Sequence, residues 1–389
     1  MYHRVLELDL PVNQPQSAFI WGTRKAGKST FLKDSYPDSL FFDMLDSTLR
    51  FDLMRQPSRL REILDAAPPE KLRLPIILDE VQKVPDLLDE VHYLIENRRL
   101  SFIMCGSSAR KLRKGQANLL GGRAWRFEMF PLVSAEVPGL DLLRALTHGL
   151  IPSHYDSTRP DRSLHAFTND YLKEEIAAEA LTRNLSAFAR FLDVMGIMNG
   201  EIVNYSAIAS DVGVDSKTVR SYFEILQDTM IGRFLQPLTA KPGSRKHLVA
   251  TPKFHLFDPG VARVLRKVNI TALQGPEAGR LFETFIAHEL HAYIGYRDKT
   301  KEIHYYRTKS GAEVDFVLNR RETAIEVTIS RNVRRADLKG LNSFLQEEPE
   351  ARAIVVCLEK QRRVVTAYGR RIEIFPWAEF CRALWSGEI

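Results

Sequence analysis

A glycine-bounded loop between an apolar segment and a helical one carries the residue types best suited to chemistry. Residues 22–30 fit the pattern G-x-x-x-x-G-K-[ST] at every fixed position. Gly22 and Gly27 let the backbone curl so that successive N–H groups point at phosphate oxygens. Lys28 would reach the β- and γ-phosphates, and the Ser29 hydroxyl would ligate Mg²⁺. The loop predicts a nucleotide site built from nine residues: Gly22, Thr23, Arg24, Lys25, Ala26, Gly27, Lys28, Ser29 and Thr30.

An acidic pair follows a second apolar segment. Asp79 and Glu80 come directly after Ile76-Ile77-Leu78. Asp79 would hold Mg²⁺ through water, and Glu80 would act as the general base that polarises the attacking water. A strand followed by a solvated acidic turn would look the same in isolation, but the pairing with the phosphate loop favours ATP hydrolysis.

Two further side chains could complete a hydrolytic site. Ser107 ends the next apolar segment, where it could sense the γ-phosphate or orient the attacking water. Arg123 follows Gly121 and Gly122, and an arginine so placed could neutralise transition-state charge across a subunit boundary. The alternatives are an ordinary strand cap for Ser107 and a surface arginine for Arg123.

The elements that must position these residues form an alternating α/β pattern. Four short apolar runs indicate buried strands of a parallel sheet: Ser17–Trp21, Ser39–Asp43, Leu74–Leu78 and Ser101–Cys105. From residue 142 to 198 the periodicity becomes helical, including one long segment over 168–191. The fold class is therefore α/β, with a helical middle region.

Residues 205–226 have the apolar spacing of a helix-turn-helix. Asp215 or Ser216 would cap its second helix, whose predicted buried face is Val219, Tyr222, Phe223 and Leu226. Two strands over 234–239 and 253–257 would follow, joined by a basic wing over 241–247. The candidate DNA contacts are Lys217, Arg220, Arg245 and Lys246. Because such helices also serve as protein-packing modules, DNA contact stays open at this point.

These motifs together resemble the AAA-type ATPases of bacteria and archaea that carry a C-terminal domain of unknown function. The resemblance rests on the phosphate loop, Ile-Leu-Asp-Glu, Cys-Gly-Ser-Ser-Ala-Arg, Gly-Gly-Arg and Phe-Pro-Leu-Val-Ser-Ala-Glu, and it continues through Tyr306-Arg307-Thr308 and Glu313-Val314-Asp315-Phe316. It implies an AAA+-like ATPase domain, a winged-helix middle domain and a restriction-endonuclease-like α/β end. It also implies that Ser107 is a sensor, that Arg123 is an arginine finger, and that the chain forms a ring, which we take as a hexamer.

Three carboxylates of the last region follow the order found in PD-(D/E)XK nucleases. Glu283 lies on a predicted helix, and Asp315 and Glu326 lie on successive predicted strands. In such an active site they would hold Mg²⁺ against a phosphate. Thr328 stands where the nuclease pattern has lysine, so we interpret the site as degenerate, with an active nuclease as the alternative. His288 and His291 on the same helix are interpreted as surface histidines or nucleic-acid contacts rather than zinc ligands.

Composition limits the remaining choices. The chain has 389 residues and a formal charge of +6, with a pI near 9.1, which favours an anionic partner. Three scattered cysteines, no membrane-length apolar run and no signal-peptide core indicate a reducing, cytoplasmic location without membrane contact. The predicted domains are residues 1–135 (ATPase), 136–268 (helical and winged-helix) and 269–389 (nuclease-like).

The sequence thus predicts a Mg²⁺-dependent ATPase that assembles with itself and remodels DNA. Forked or Holliday-junction DNA is the expected substrate, handled by a helicase-type or branch-migration mechanism. Two alternatives remain open: an ATP-gated nuclease of a defence or repair system, and an ATP-dependent signalling switch with a protein ligand.

Overall fold

The chain is organised in two compact units. The computed structural model describes residues 2–11, 16–108, 120–175, 184–240, 247–297 and 300–389, without side chains at 173–175. Residues 4–131 and 225–230 form one unit, called here the nucleotide unit. Residues 1–3, 132–224 and 231–389 form the other, called the C-terminal unit. The predicted domain boundaries at 135/136 and 268/269 stay predictions.

A five-stranded sheet is the centre of the nucleotide unit. Its strands are β1 (Ser17–Trp21), β2 (Phe41–Asp43), β3 (Ile76–Asp79), β4 (Phe102–Gly106) and β5 (Ala124–Glu128), in the order β2-β3-β4-β1-β5 and all parallel. The helices are α1 (Lys28–Ser35), α2 (Ser47–Arg55), α3 (Arg59–Asp65) and α4 (Leu87–Arg98). Every residue of β1, β3 and β4 is buried, as expected for parallel strands covered on both faces. The four predicted strands are confirmed, with bounds that differ by at most two residues.

Helices dominate the first part of the C-terminal unit. The described helices after residue 140 are α5 (Leu142–His148), α6 (Pro152–Tyr155), α7 (Pro160–Ala166), α8 (Leu185–Met198), α9 (Tyr205–Val212), α10 (Ser216–Asp228), α11 (Pro259–Arg266), α12 (Gly275–Tyr296), α13 (Lys339–Leu345) and α14 (Trp377–Trp385). The single helix predicted over 168–191 is wrong. A π-helical segment covers Phe167–Glu175, and a new helix begins at Leu185 because the Asn184 side chain caps it by accepting from Ala187 N at 3.0 Å. No helix among the described residues is both long enough and apolar enough to cross a membrane.

An eight-stranded mixed sheet forms the rest of this unit. Its strands are β6 (Gly232–Pro237), β7 (Lys253–Leu256), β8 (Ile303–Arg307), β9 (Glu313–Leu318), β10 (Thr323–Val327), β11 (Arg352–Cys357), β12 (Arg363–Ala367) and β13 (Arg370–Pro376). The strand order is β12-β13-β11-β10-β9-β8-β6-β7. The two strands predicted on either side of a wing are confirmed as the antiparallel pair β6 and β7, and β6 also pairs with β8. The wing residues Arg245 and Lys246 lie outside the described residues.

The helix-turn-helix prediction agrees with helices α9 and α10. The four residues predicted to face inward are all at most 3% exposed: Val219, Tyr222, Phe223 and Leu226. Asp215 is the cap, because its Oδ1 accepts from Thr218 N at 2.8 Å. Lys217 and Arg220 are exposed, and the Arg220 guanidinium lies 4.3 Å from the centre of the Tyr205 ring.

A buried carboxyl group on α12 sits beneath the contact between α14 and the 134–136 turn. Glu289 is fully buried, and its oxygens accept from Ser134 N, Ser134 Oγ and Trp385 Nε1, each at 2.7 Å. Burial raises the pKa of Glu289 to about 7, although these hydrogen bonds oppose the rise. The folded chain therefore binds this proton more tightly than the unfolded chain does.

We expect Glu289→Gln to flatten the pH dependence of the stability of the C-terminal unit. Since the folded-state pKa is raised, the stabilising contribution is complete below about pH 4.5 and is lost as pH rises through about 7. One unit of pKa shift corresponds to about 1.4 kcal/mol. As pH rises, the free energy of unfolding of the wild type should therefore fall by at most about 3 kcal/mol more than that of the variant. Urea unfolding between pH 5 and pH 8, followed by tryptophan fluorescence, measures this difference, and identical pH slopes would contradict it.

Candidate nucleotide site

The phosphate loop leads from β1 into α1 through a left-handed turn. Gly27 has φ +99°, a conformation that residues with a Cβ rarely adopt, and Lys25 also lies in the left-handed region, at φ +64°. Helix α1 begins at the next residue, Lys28, and Phe31 N donates to Gly27 O at 2.9 Å. The N-terminus of α1 is therefore turned toward the loop, as anion binding requires.

The Lys28 side chain is held inside this loop. It is 5% exposed, and its Nζ donates to Gly22 O at 2.8 Å and to Thr23 O at 3.1 Å. Burial lowers the pKa of Lys28, while the negative charges of Glu80 and Asp79 oppose that effect. The acidic pair thus acts electrostatically on Lys28, as expected if both face one site.

The residues around the loop fit a triphosphate with Mg²⁺. Thr23 Oγ1 is buried without a hydrogen-bond partner among the described residues, so a polar group of a ligand would satisfy it. Ser29, the candidate metal ligand, is half-buried directly after Lys28. Arg24, Lys25 and Thr30 are exposed on the loop and the first turn of α1.

The candidate metal-holding aspartate is the last residue of β3. Asp79 is 1% exposed and lies next to Cys105 of β4 in the parallel register. The Cys105 thiol donates to Asp79 Oδ1 at 2.7 Å, and burial, followed by the charge of Asp79, raises the pKa of this thiol. The thiol therefore stays protonated and orients the aspartate as a donor.

Glu80 and Ser107 are brought together by a residue that the sequence analysis missed. Glu80 leaves β3 in the left-handed region, with φ 57° and ψ 40°. Gln82 Nε2 donates both to Glu80 Oε2, at 2.5 Å, and to Ser107 Oγ, at 3.2 Å. The sequence offers no clear signal for Gln82, because residues 81–84 read Val-Gln-Lys-Val and a glutamine in such a segment is expected to face solvent.

Arg123 lies at the surface of the nucleotide unit. Its side chain is 39% exposed and its Nε donates to Glu96 Oε1, while its carbonyl accepts from Gln16 Nε2 at 2.9 Å. The interaction with Glu96 lowers the pKa of that glutamate. In the single chain, the candidate finger is thus a surface arginine with an acidic partner.

The predicted nuclease carboxylates converge in the C-terminal unit, together with a lysine from another strand. Lys253 of β7 is 4% exposed, and its Nζ lies 2.6 Å from Glu313 Oε1 and 3.5 Å from Glu283 Oε1. Asp315 Oδ2 accepts from Val327 N at 2.8 Å, and Glu326 Oε2 is buried without a partner among the described residues. The nuclease pattern places its lysine at position 328, where this chain has threonine. Lys253 lies on a strand far earlier in the sequence, so no local spacing links it to these carboxylates.

Burial and mutual charge shift the pKa values of these groups. Burial, and then the charge of Glu283, raises the pKa of Asp315 to about 7, and burial with Asp315 raises that of Glu326. Burial alone would lower the pKa of Lys253, but its carboxylate neighbours outweigh burial and raise it. Within the described residues, no group of three or more histidines, cysteines or acids is arranged to hold a metal ion.

The interpretation of His288 as a surface residue is wrong. His288 is 5% exposed, and its Nε2 lies 2.9 Å from Leu132 O, because α12 is buried along most of its length. His291 is half-buried, and its Nε2 is enclosed without a hydrogen-bond partner among the described residues. Burial lowers the pKa of His291 well below its usual value, so the imidazole is neutral.

Comparisons with known proteins divide the chain into three parts. Residues 14–137 match the family model of an AAA domain. Residues 140–272 and 278–380 match two domains of unknown function, DUF8612 and DUF4143.

Two curated relatives cover most of the chain. Uncharacterized proteins of Mycobacterium bovis and Mycobacterium tuberculosis are each 24% identical over 335 residues, which is 81% of this chain and 72% of theirs. A solved structure of the Aeropyrum pernix Orc1 protein in complex with DNA aligns with 66% of this chain and 87% of that chain, at 15% identity and a TM-score of 0.26. The loop geometry agrees with the match of residues 14–137 to an AAA domain, and together they support an AAA-type P-loop ATPase.

Proposed function

We propose that this chain is a Mg²⁺-dependent ATPase that assembles into a ring, taken as a hexamer, and remodels forked or Holliday-junction DNA. The observation that carries the ATPase part is the left-handed phosphate loop with Lys28 enclosed in it, beside a sheet in which Asp79 ends β3 buried and Glu80 follows it. A site that only bound nucleotide would have no need for a second carboxylate at position 80.

The roles of the nucleotide residues follow from their positions. Lys28 exchanges its bonds to Gly22 O and Thr23 O for phosphate oxygens. Ser29 and Asp79 hold Mg²⁺, which neutralises charge on the triphosphate. Glu80 accepts the proton of the attacking water, and Ser107 contacts the γ-phosphate.

Arg123 completes the site of a neighbouring subunit in this proposal. Among the described residues, its exposed guanidinium pairs with Glu96, itself 48% exposed, and a pair this exposed is weak. Phosphate oxygens of a neighbour's nucleotide could therefore replace Glu96. Self-assembly into a ring would bring the arginine and that nucleotide together.

DNA is supported as partner by charge and by one helix. The chain carries a formal charge of +6, and Lys217 and Arg220 are exposed near the start of α10. Asp215 caps that helix, so the cations lie at a fixed helix start. Contacts of this kind reach phosphates and carry little sequence information, which suits a protein that recognises DNA shape.

Phosphate release tests the proposed motor. Rates are measured without DNA and with duplex, forked and four-way DNA, for the wild type and Glu80→Gln. We expect forked and four-way DNA to raise the wild-type rate severalfold, and the variant to lose about 100-fold or more because the general base is gone. Binding of ATP by the variant serves as the folding control. Equal wild-type rates on all four samples would rule out the motor.

Neutralising the helix start should weaken DNA binding. We expect Lys217→Ala combined with Arg220→Ala to lower affinity for forked DNA about tenfold. The slope of the logarithm of affinity against the logarithm of salt concentration should fall by the amount expected for one or two lost phosphate contacts. Lys360→Ala, which removes an exposed lysine between β11 and β12, is the control for loss of charge. Binding isotherms at several salt concentrations measure both quantities. Unchanged affinity and salt dependence in the double variant would remove α10 from the interface.

Lys253 favours a second candidate function, an ATP-gated nuclease. It places a cation beside the carboxylates, which the sequence at position 328 does not supply. In this candidate the carboxylates would have to rearrange to hold a divalent metal against a scissile phosphate, because the described acids are not arranged to do so as they stand, and the lysine would favour a bound hydroxide.

Cutting of DNA tests this candidate. Supercoiled and four-way DNA are incubated with Mg²⁺ or Mn²⁺ and ATP. A nuclease should cut, and both Asp315→Asn and Lys253→Met should lose at least about 100-fold in rate, whereas Lys360→Ala should cut normally. Thermal melting shows that the variants are folded. Absence of cutting by the wild type, or equal cutting by Asp315→Asn, would leave the region as a degenerate nuclease-like domain.

A further inference from the structure

A buried amide joins the two side chains that lie on either side of the proposed attacking water. Gln82 is 1% exposed and sits in the turn that follows Glu80. Its Nε2 has two hydrogens, so it can donate to Glu80 Oε2 and Ser107 Oγ at the same time. The candidate base and the candidate sensor are therefore held at a fixed separation by one nitrogen atom.

Stability of the fold does not explain an amide at this position. Gln82 Oε1 has no hydrogen-bond partner among the described residues, and a buried unsatisfied acceptor costs about 1–3 kcal/mol. A leucine would fill a similar volume without that cost. The reason for an amide at this position is therefore the pair of hydrogen bonds that its nitrogen donates to Glu80 and Ser107.

The neighbouring strand leaves room for this side chain. Gly106 ends β4, and a Cβ at that position would lie 2.1 Å from Gln82 Oε1 and 3.0 Å from the Trp21 ring. Any larger residue at 106 would push the amide away from Glu80 and Ser107. The turn after β3 thus carries Gln82, and the glycine at the end of β4 leaves space for its side chain.

Glu80 needs such a partner because its backbone turns away from the strand. A left-handed conformation in a residue other than glycine costs about 1 kcal/mol or more and persists only where the surroundings fix it. A charge-assisted bond from Gln82 to Oε2 holds one carboxylate oxygen and leaves Oε1 to accept a proton.

We propose that Gln82 is a positioning residue for ATP hydrolysis, which aims Glu80 and fixes its distance from Ser107. This inference rests on the proposed ATPase activity. In the step it serves, the water oxygen bonds to the γ-phosphorus, Glu80 takes the water's proton, and the bond to the β-phosphate oxygen breaks with its electron pair leaving on ADP. Gln82 itself is unchanged by the reaction.

Steady-state kinetics on the full chain test the role through a double-mutant cycle. The set is wild type, Gln82→Leu, Glu80→Gln and the combined variant. We expect Gln82→Leu to lower kcat about tenfold or more while KM for ATP stays within about twofold, because the amide does not touch the phosphate loop. In the Glu80→Gln background, the same change should cost less than about twofold, since its target has been removed.

Gly106→Ala provides an independent variant. Its Cβ should displace the amide and reproduce the loss in kcat at saturating ATP, the quantity compared here because Gly106 O also accepts from Gly22 N of the phosphate loop at 3.3 Å. Gly279→Ala is the matched control, because a Cβ there would meet nothing closer than 3.9 Å. Thermal melting and ATP binding show that each variant is folded.

The possible results separate this inference from the proposed function. An inactive wild type, or Glu80→Gln as active as wild type, would overturn the proposed ATPase roles, and Gln82 would fall with them. If those two proteins behave as expected, an unchanged or raised kcat in Gln82→Leu would overturn the inference alone. The inference would also fail if the loss in kcat of the combined variant equalled the product of the two single losses, because Gln82 would then not act through Glu80.

Discussion

A buried ammonium beside two carboxylates is the interaction on which the nucleotide unit depends. Taking Lys28 out of water is unfavourable, and the loop carbonyls and the charges of Asp79 and Glu80 only partly offset this. A triphosphate with its metal would bring negative charge to the lysine and positive charge to the acids. The charged groups of the site are thus in place before a ligand binds, and the charge of Lys28 is only partly compensated. A nucleotide with its metal would complete this compensation, which favours tight binding.

The sheet order explains why one small set of residues can serve this interaction. Because β4 lies between β1 and β3, the end of β4 separates the phosphate loop from the acidic pair. This strand supplies Cys105, which donates to Asp79, and leads into Ser107, which accepts from the same Gln82 nitrogen as Glu80. The C-terminal unit also buries a lysine beside carboxylates. There, Lys253 of β7 contacts Glu313 of β9 and Glu283 of α12.

Local patterns predicted four of the nucleotide strands, a helix cap at Asp215 or Ser216, and the inward face of α10. They succeeded because apolar periodicity and capping act over a few residues. Strand β5 was missed because it is an edge strand in which only Ala124 is buried, so it lacks the continuous apolar run of the other strands. Gln82 and Lys253 were missed for a different reason: their partners are chosen by strand order and helix packing, which no short motif encodes. The same applies to His288, whose burial depends on its neighbours in the unit.

The most direct measurement is a structure of the full chain with Mg²⁺ and a slowly hydrolysed ATP analogue. We expect Lys28 Nζ to leave Gly22 O for oxygens of the β- and γ-phosphates. We also expect the metal to bind Ser29 Oγ and to reach Asp79 through water. A nucleotide bound elsewhere, with Lys28 still bonded to the loop carbonyls, would contradict the central claim.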